Sequence, residues 1–295
     1  MLRIAIALAA LAGLALAPAS ASALEIGMGN ETPALFSVPQ FTELPIRKVR
    51  YVAAYDAALG DSFERQQADQ FLRTANAMGY EVLVSFEHSR LRSRANRLPS
   101  TAAYLRGVRA FMARYPFVRI YSPWDEINDC SQPTCRDPKA AAGYYLAMRR
   151  ACPRCTLIAG EVLDTTDPQQ TVRYLRAYQQ ALGRVRPKLW GLHDYSDVNR
   201  FRSTGTRAVL KAVDGAVWLT ETGGLYAFPP GFPPSAGRQV RAERQMLRLA
   251  RLSPRIERLY IYSWTGGGAF DAGLTGANST SLRPAYQVVR DALAG

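Results

Sequence analysis

Residues 117–128, FVRIYSPWDEIN, indicate the fold class because an apolar run typical of a strand ends in two adjacent acidic residues, Asp125 and Glu126. Residues 216–221, AVWLTE, repeat the pattern and end in Glu221. Short continuous apolar runs of this kind are typical of strands that are buried on both faces, as in parallel sheets. The two stretches therefore predict buried strands with acidic side chains at their carboxyl ends.

Similar runs alternate with amphipathic helical runs along the chain. The eight predicted strands span residues 24–29, 48–55, 81–86, 117–124, 156–161, 188–195, 216–221 and 259–264. This alternation is typical of α/β proteins. Eight strand–helix units predict a single-domain (β/α)8 TIM barrel over residues 24–295, with a doubly wound open sheet as the alternative.

The intervening helices have recognisable ends. Capping residues at 61–62 precede a helical apolar pattern that stops at Gly79. Asp167 precedes Pro168 at the first helical position, and that pattern stops at Gly183. Two later helices are predicted over residues 238–252 and 281–293.

The N-terminus has the three parts of a secretory signal peptide. Arg3 precedes an apolar run over residues 4–17, and small residues lead up to Ala23. We expect residues 1–23 to be removed and the protein to be secreted, either extracellular or periplasmic. No other stretch approaches the roughly 20 apolar residues that a membrane span needs.

The chain is basic, with 37 Lys and Arg against 24 Asp and Glu and a net charge of +13. Its arginines are scattered through every predicted helix and do not form a block. Nucleic-acid binding needs basic residues gathered on one face, so we expect no nucleic-acid partner.

In a barrel of this class, the active site lies at the carboxyl ends of the strands. Glu126 and Glu221 both occupy such positions, on the fourth and seventh predicted strands. A pair of carboxylates facing each other across a bound sugar is the arrangement that glycoside hydrolysis needs. The pair therefore predicts a glycosidase.

At these positions the chain resembles the clan A glycoside hydrolases, barrel enzymes with an acid/base Glu on strand four and a nucleophile Glu on strand seven. Residues 124–128, WDEIN, look like the clan's Trp-Asn-Glu-Pro motif. Residues 218–221, WLTE, look like its nucleophile segment. The resemblance implies that Glu126 is the acid/base and Glu221 the nucleophile.

The resemblance also implies a set of substrate-binding residues. His193 and Tyr195 match the clan's His-x-Tyr on strand six, and alternate residues of a strand share a face. Trp264 matches its aromatic platform after strand eight, and Trp124 belongs to the strand-four motif. Two more residues are candidates for the barrel mouth. They are Arg50 on strand two and Asn30 after strand one.

The chain departs from the clan at two positions. Asp125 stands where the clan usually has the Asn that bonds the sugar 2-hydroxyl, and Ile127 replaces the usual proline. A carboxylate only accepts hydrogen bonds, whereas an amide also donates them. Recognition of the 2-hydroxyl, or the sugar itself, is therefore expected to differ.

The resemblance implies retaining hydrolysis of β-glycosidic bonds, or of the equivalent α-L-arabinosidic ones, in a polysaccharide or oligosaccharide. Two alternatives stay open: a glycan-binding barrel without activity and a transglycosylase with the same residues. The Pro- and Gly-rich residues 228–237 are either a loop over the cleft or a plain surface connection.

The four cysteines suggest two disulfides in an exported protein, although four thiolates also suit a zinc site. Cys130 and Cys135 follow the fourth strand, at the catalytic face, whereas Cys152 and Cys155 lie beyond the next helix. A helix of about 13 residues separates the pairs by roughly 20 Å. We therefore predict Cys130–Cys135 and Cys152–Cys155 disulfides.

We expect no metal and no cofactor. The two histidines, His88 and His193, are too few for a multi-histidine site, whereas a carboxylate-rich site stays open. The sequence also lacks a P-loop, a complete dinucleotide-binding glycine motif and a nucleophile elbow. We expect a monomer.

Overall fold

The computed structural model describes residues 24–294. The predicted signal peptide, residues 1–23, lies outside the described residues, as does Gly295. Within residues 24–294, no helix has both the length and the apolar character needed to cross a bilayer.

The described region contains one sheet of nine parallel strands. They are β1 (Glu25–Gly29), β2 (Lys48–Ala54), β3 (Glu81–Glu87), β4 (Ile120–Ser122), β5 (Thr156–Leu157), β6 (Glu161–Leu163), β7 (Leu189–His193), β8 (Ala216–Thr222) and β9 (Ile256–Tyr262). Their order in the sheet is β5-β4-β3-β2-β1-β9-β8-β7-β6. The first and last strands along the chain are thus neighbours, as a barrel requires.

The barrel closes through the predicted fifth strand, which is divided into β5 and β6. Between them, the amide of Ile158 donates to the carbonyl of Tyr121 in β4, and the amide of Ala159 donates to the carbonyl of Leu189 in β7, both at 2.9 Å. One short segment therefore bonds to both edges of the sheet. The predicted (β/α)8 barrel is confirmed, and the open-sheet alternative is wrong.

The strands alternate with helices on the outside of the barrel. The α-helices of the described region are α1 (Pro39–Thr42), α2 (Phe63–Ala77), α3 (Thr101–Arg114), α4 (Pro138–Ala151), α5 (Pro168–Ala181), α6 (Tyr195–Asn199), α7 (Thr204–Ala212), α8 (Ala236–Ala250) and α9 (Pro284–Ala294). The Ser62 hydroxyl accepts a hydrogen bond from the Arg65 amide at the start of α2. Gly79 and Gly183 adopt the left-handed backbone that ends the α2 and α5 patterns.

Several element bounds differ from the sequence prediction by a few residues. Helix α8 begins two residues early because the Ser235 hydroxyl accepts from the Arg238 amide and caps it. Strand β9 ends at Tyr262, two residues before the predicted end, because the chain leaves the sheet there. Strand β4 covers only three residues of its predicted run.

The barrel interior is apolar toward the amino ends of the strands. Four strands and the segment between β5 and β6 contribute one side chain each to this part, which we call the apolar layer: Leu83, Ile120, Ile158, Trp218 and Tyr260. All five are buried. A larger apolar core lies between the sheet and the helices.

Two disulfides flank α4, as predicted. Cys130 and Cys135 have Cα atoms 5.0 Å apart, and Cys152 and Cys155 have Cα atoms 5.4 Å apart. The first pair lies before α4 and the second after it, so the four sulfurs do not form one zinc site.

Candidate active site

Arg50 on β2 organises the barrel interior above the apolar layer. Its side chain is fully buried, and its Nη1 donates to Glu221 Oε2 at 2.7 Å. Its Nη2 bonds to Asp125 and lies 3.3 Å from Glu161 Oε2. Its Nε donates to Ser85 Oγ at 3.0 Å. One guanidinium therefore binds carboxylates from three different strand ends.

Glu161 at the start of β6 is the most deeply buried of these carboxylates. Its Oε1 accepts from the Ser85 hydroxyl at 3.0 Å. Burial favours the neutral acid, but the charges of Arg50 and His193 outweigh it and hold the pKa of Glu161 below its ordinary value. Four buried side chains form what we call the charged layer: Arg50, Ser85, Glu161 and His193.

Glu221 near the end of β8 lies on top of the charged layer. The Tyr195 hydroxyl donates to its Oε1 at 2.9 Å, while Arg50 binds its other oxygen. Burial, followed by the charge of Glu221, raises the pKa of Tyr195 well above its ordinary value. The phenol keeps its proton and remains a donor, so both oxygens of Glu221 are held in position.

Glu126 follows β4 with a left-handed backbone, φ 41°, which non-glycine residues adopt rarely. The neighbouring Ile127 amide donates to the carbonyl of Glu161 at 2.9 Å, and Asn128 exchanges two hydrogen bonds with the backbone of Leu163. These contacts fix the turn. They offset a backbone cost of about 1–3 kcal/mol.

The Glu126 carboxyl contacts a buried imidazole. His193 Nδ1 lies 3.0 Å from Glu126 Oε1. Burial raises the pKa of Glu126 above its ordinary value, although His193 partly opposes the shift. Burial lowers the pKa of His193, but the charges of Glu221 and Glu126 outweigh it and raise that pKa overall. Both shifts favour the protonated form of the group concerned.

Glu126 and Glu221 open onto one cavity of about 630 Å³. One side of it is an aromatic wall, which we define as Phe228, Phe232, Tyr262 and Phe270. The rings of Phe228 and Phe270 lie 5.2 Å apart between centroids, edge to face. Aromatic faces of this kind suit the apolar C–H groups of a sugar ring.

The aromatic wall comes from two loops that are hydrogen-bonded to each other. The backbone of Ala227, after β8, exchanges hydrogen bonds with that of Asp271, after β9, at 2.9 and 3.1 Å. Arg283 forms an ion pair with the Asp271 carboxylate at 2.6 Å. Residues 228–237 are therefore in part a wall of the cavity, the first of the two alternatives for that stretch.

The structure brings six of the predicted site residues together. They are Arg50, Asp125, Glu126, His193, Tyr195 and Glu221. Tyr195, Glu126 and Glu221 line the cavity. Arg50 and His193 are buried beneath it, at 1% and 0% exposure, so they position the carboxylates and do not face a substrate.

The prediction that Trp264 faces the substrate is wrong. Its side chain is fully buried, its ring packs on Phe41 and Tyr286, and its Nε1 donates to the carbonyl of Ser279. The chain turns away after β9, so Tyr262 lines the cavity instead.

The predictions that Trp124 binds substrate and that Asn30 lies at the barrel mouth are also wrong. Trp124 is 1% exposed, stacks on Tyr144, and donates from Nε1 to Gln132. Asn30 is buried after β1, where its side chain reaches the carbonyl of Thr32 at 3.5 Å. Neither residue lines the cavity.

Sequence reasoning missed Glu161 and Asp164. Glu161 ended the predicted fifth strand, so its strand-end position was the signal that pointed to it. Asp164 lines the cavity and accepts from the amides of Ser196 and Asp197, both at 2.7 Å. It holds the start of α6, and with it Tyr195.

Asp125, His193 and Glu221 place one potential metal-ligating atom each within 4.8 Å of one another. The Arg50 guanidinium already binds both carboxylates of this group. Its positive charge supplies what a cation would supply, so these residues do not fit a metal site well.

No family model and no curated protein matches the sequence of this chain. Solved structures match its fold. An FMN-binding β-glucuronidase from Facaelibacterium prausnitzii L2-6 has a TM-score of 0.62 at 10% identity, over 93% of this chain and 44% of that one. This chain spans about half the length of the two β-glucuronidases it matches.

Shorter glycoside hydrolases match over most of their own length. A GH5_18 variant from Streptomyces cattleya in complex with Manβ1-4GlcNAc has a TM-score of 0.64 at 16% identity, over 92% of this chain and 80% of that one. A GH128 endo-β-1,3-glucanase from Sorangium cellulosum has a TM-score of 0.58 at 16% identity, over 90% of this chain and 96% of that one. The chain thus has the barrel fold of these glycoside hydrolases, as the resemblance implied.

Proposed function

We propose that this protein is a secreted, retaining glycoside hydrolase that cleaves β-glycosidic or equivalent arabinosidic bonds of a polysaccharide or oligosaccharide. The observation that carries the proposal is the placement of Glu126 and Glu221, which lie at the carboxyl ends of different barrel strands and line one cavity. The glycoside hydrolases among the structural matches support it.

We assign Glu221 as the nucleophile. Tyr195 and Arg50 each bind one of its oxygens, which fixes the carboxylate and balances its negative charge. A nucleophile that is held in place loses little freedom on attack, which favours the reaction. Arg50 and Tyr195 are positioning residues in this assignment.

We assign Glu126 as the general acid/base. Burial raises its pKa, which favours the protonated form that can give a proton to the leaving oxygen. The contact with His193 holds the carboxyl in one orientation. The two carboxyl groups thus differ in surroundings, and two different roles require such a difference.

The reaction follows in two steps. Glu221 attacks the anomeric carbon while Glu126 gives its proton to the departing oxygen, so the glycosidic bond breaks and a glycosyl ester forms. Glu126 then takes a proton from water, whose oxygen attacks the anomeric carbon and releases Glu221. The configuration at that carbon is retained.

Secretion is part of the proposal. The sequence of residues 1–23 supports it, and the two disulfides are typical of proteins that fold in an oxidising compartment.

The test is reducing-end release from a panel of β-linked glycans and arabinans, with Glu221→Gln beside the wild type and the exposed Glu43→Gln as a matched control. We expect release by the wild type and the control only. Proton NMR of the first product is expected to show the retained anomer. An inverted product would contradict the mechanism.

The same assay separates the alternatives. Products longer than the substrate would identify a transglycosylase. Glycan binding without release by the wild type would identify a binding barrel and overturn the proposal.

A further inference from the structure

A second cavity, of about 380 Å³, lies on the outer surface of the barrel, between the loop that joins α6 to α7 and helix α8. We call it the arginine pocket. Its lining consists of Phe201, Arg241, Arg244 and Arg248. All four residues are exposed, Phe201 by 45%.

The cations of this pocket are not neutralised by the protein. Arg241 donates to the carbonyl of Gly237, and Arg248 donates to the side-chain oxygen of Gln245. Over residues 24–294, neither of them forms an ion pair with a carboxylate, and nor does Arg244.

The surroundings add to the positive charge. Burial, and after it the charge of Arg241, lowers the pKa of Arg238. Arg244 also lines a neighbouring cavity, and Asp291 lines that cavity too. Asp197 forms its ion pair with Arg202, at 3.9 Å, and within the described residues it forms none with the arginines of the pocket. The pocket lining therefore carries three positive charges and no negative one, which favours an anion.

The three arginines form a row. Their spacing of three and four residues places them on one face of α8. Seven residues separate Arg241 from Arg248, so the row extends about 10 Å along the helix. A row of this length suits a chain that carries repeated negative charges better than a single small anion.

Phe201 gives the pocket an apolar surface between charges. It has a left-handed backbone, φ 54°, and its ring lies 5.8 Å from the guanidinium carbon of Arg241. An exposed ring beside guanidinium groups matches a sugar acid, whose ring C–H groups are apolar and whose carboxylate accepts two parallel hydrogen bonds from arginine.

The arginine pocket adjoins the cavity of the candidate active site. Arg200 lines that cavity, and Phe201, the next residue, lines the pocket. The Arg200 guanidinium carbon lies 5.3 Å from the ring centroid of Phe232 in the aromatic wall. Consecutive residues of the chain therefore line the cavity and the pocket, which places the two sites side by side.

We propose that the arginine pocket docks the uronic acid units of an acidic polysaccharide while another part of the same chain occupies the cavity. The link to cleavage rests on the proposed function, whereas docking does not. Four carboxyl groups and one arginine, Arg200, line the cavity, whereas three arginines and no carboxylate line the pocket, so a carboxylated sugar is favoured in the pocket over the cavity. The acidic units therefore bind outside it.

A nucleic acid is the less favoured occupant. Continuity with the cavity points to a substrate polymer, and a duplex needs contacts to many phosphates along its length. Nucleic-acid binding is an outcome of the test.

The experiment is affinity electrophoresis of the full chain through gels that contain polygalacturonate. We expect the triple variant Arg241→Gln/Arg244→Gln/Arg248→Gln to bind polygalacturonate more weakly than the wild type, by a factor of about ten or more. The matched control, with the same change in charge, replaces exposed arginines of α3 and α4: Arg106→Gln/Arg109→Gln/Arg149→Gln. It is expected to bind like the wild type.

Phe201→Ala separates docking from general charge attraction, because it leaves the charge unchanged. We expect affinity to fall about two- to tenfold. Equal retention of the triple variant and its control would overturn the proposal. Binding of dextran sulfate or double-stranded DNA as tight as that of polygalacturonate would overturn the uronate assignment.

Hydrolysis of short neutral oligosaccharides distinguishes this proposal from the proposed function. The triple variant is expected to hydrolyse them at the wild-type rate. A protein that binds polygalacturonate through the pocket but hydrolyses no glycan would keep the docking site and lose the catalytic assignment. Hydrolysis of glycans without binding of polygalacturonate through the pocket would support the catalytic assignment and overturn the docking site.

Discussion

The barrel interior contains an apolar layer and a charged layer built by the same strands a few residues apart. On β3, Leu83 belongs to the first and Ser85 to the second. In the predicted fifth strand, which the structure divides into β5 and β6, Ile158 belongs to the apolar layer and Glu161 to the charged layer. The apolar layer depends mainly on packing, with side-chain hydrogen bonds at Trp218 and Tyr260 alone, whereas each group of the charged layer has a polar partner.

The two layers differ in how they gain stability. Apolar side chains contribute free energy by leaving water, about 25 cal/mol per Å². Buried ions lose hydration, and only close pairing offsets that loss. Arg50 therefore has the largest part in the charged layer, because it pairs with Asp125, Glu161 and Glu221 at once.

Arg50→Met is expected to have the largest effect on both stability and activity. It leaves three carboxylates without their cation, which lowers the free energy of unfolding by about 3–5 kcal/mol. Urea unfolding and kcat/KM measure the two effects.

Arg258→Met is the matched control at the opposite end of the barrel. Arg258 pairs with Glu25 and Glu81, whose side chains are 41% and 46% exposed. Water can hydrate those carboxylates after the substitution, so we expect a smaller loss of stability and wild-type activity. Equal losses in the two variants would contradict the difference between the layers.

Glu126→Gln is expected to affect activity alone. Loss of the general acid lowers kcat/KM by about 10²–10⁴ for substrates with poor leaving groups. Because the substitution keeps the shape of the side chain, we expect urea unfolding to match the wild type. A large loss of stability would show that Glu126 serves the fold.

His193→Asn is expected to move the alkaline limb of kcat/KM. That limb follows ionisation of the general acid. Burial raises the pKa of Glu126 and His193 lowers it, so removing the imidazole raises that pKa and shifts the limb to higher pH. The pH profile of the variant measures this, and a shift to lower pH would contradict the assigned contact.

Ile158→Val in the apolar layer is expected to have the smallest effect. Removing one methylene from a packed core costs about 0.5–1.5 kcal/mol of unfolding free energy. The side chain of Ile158 is a hydrocarbon and forms no hydrogen bond with the charged layer. We therefore expect kcat/KM to stay at the wild-type value. Reduced activity in this variant would show that the two layers are coupled.

The sequence was sufficient to predict the strands and the positions of Glu126 and Glu221. Both depend on local pattern: apolar runs set the strands, and a barrel brings strand ends together. Arg50 was expected at the barrel mouth, whereas the structure buries it beneath the carboxylates.

Side-chain exposure was harder to predict. Trp264 is buried because a loop residue, Ser279, accepts from its indole, and no local pattern indicates that contact. The aromatic wall depends on two loops that meet only in the folded chain. Such features follow from tertiary contacts between distant residues, which periodicity does not report.

The hydrogen bonds between Ala227 and Asp271 have an evolutionary consequence. The two loops that carry the aromatic wall share a backbone pairing, so an insertion in one displaces the other. Selectivity for a new glycan must then arise through paired changes after β8 and β9. A graft of residues 223–235 into another barrel would need residues 263–283 with it.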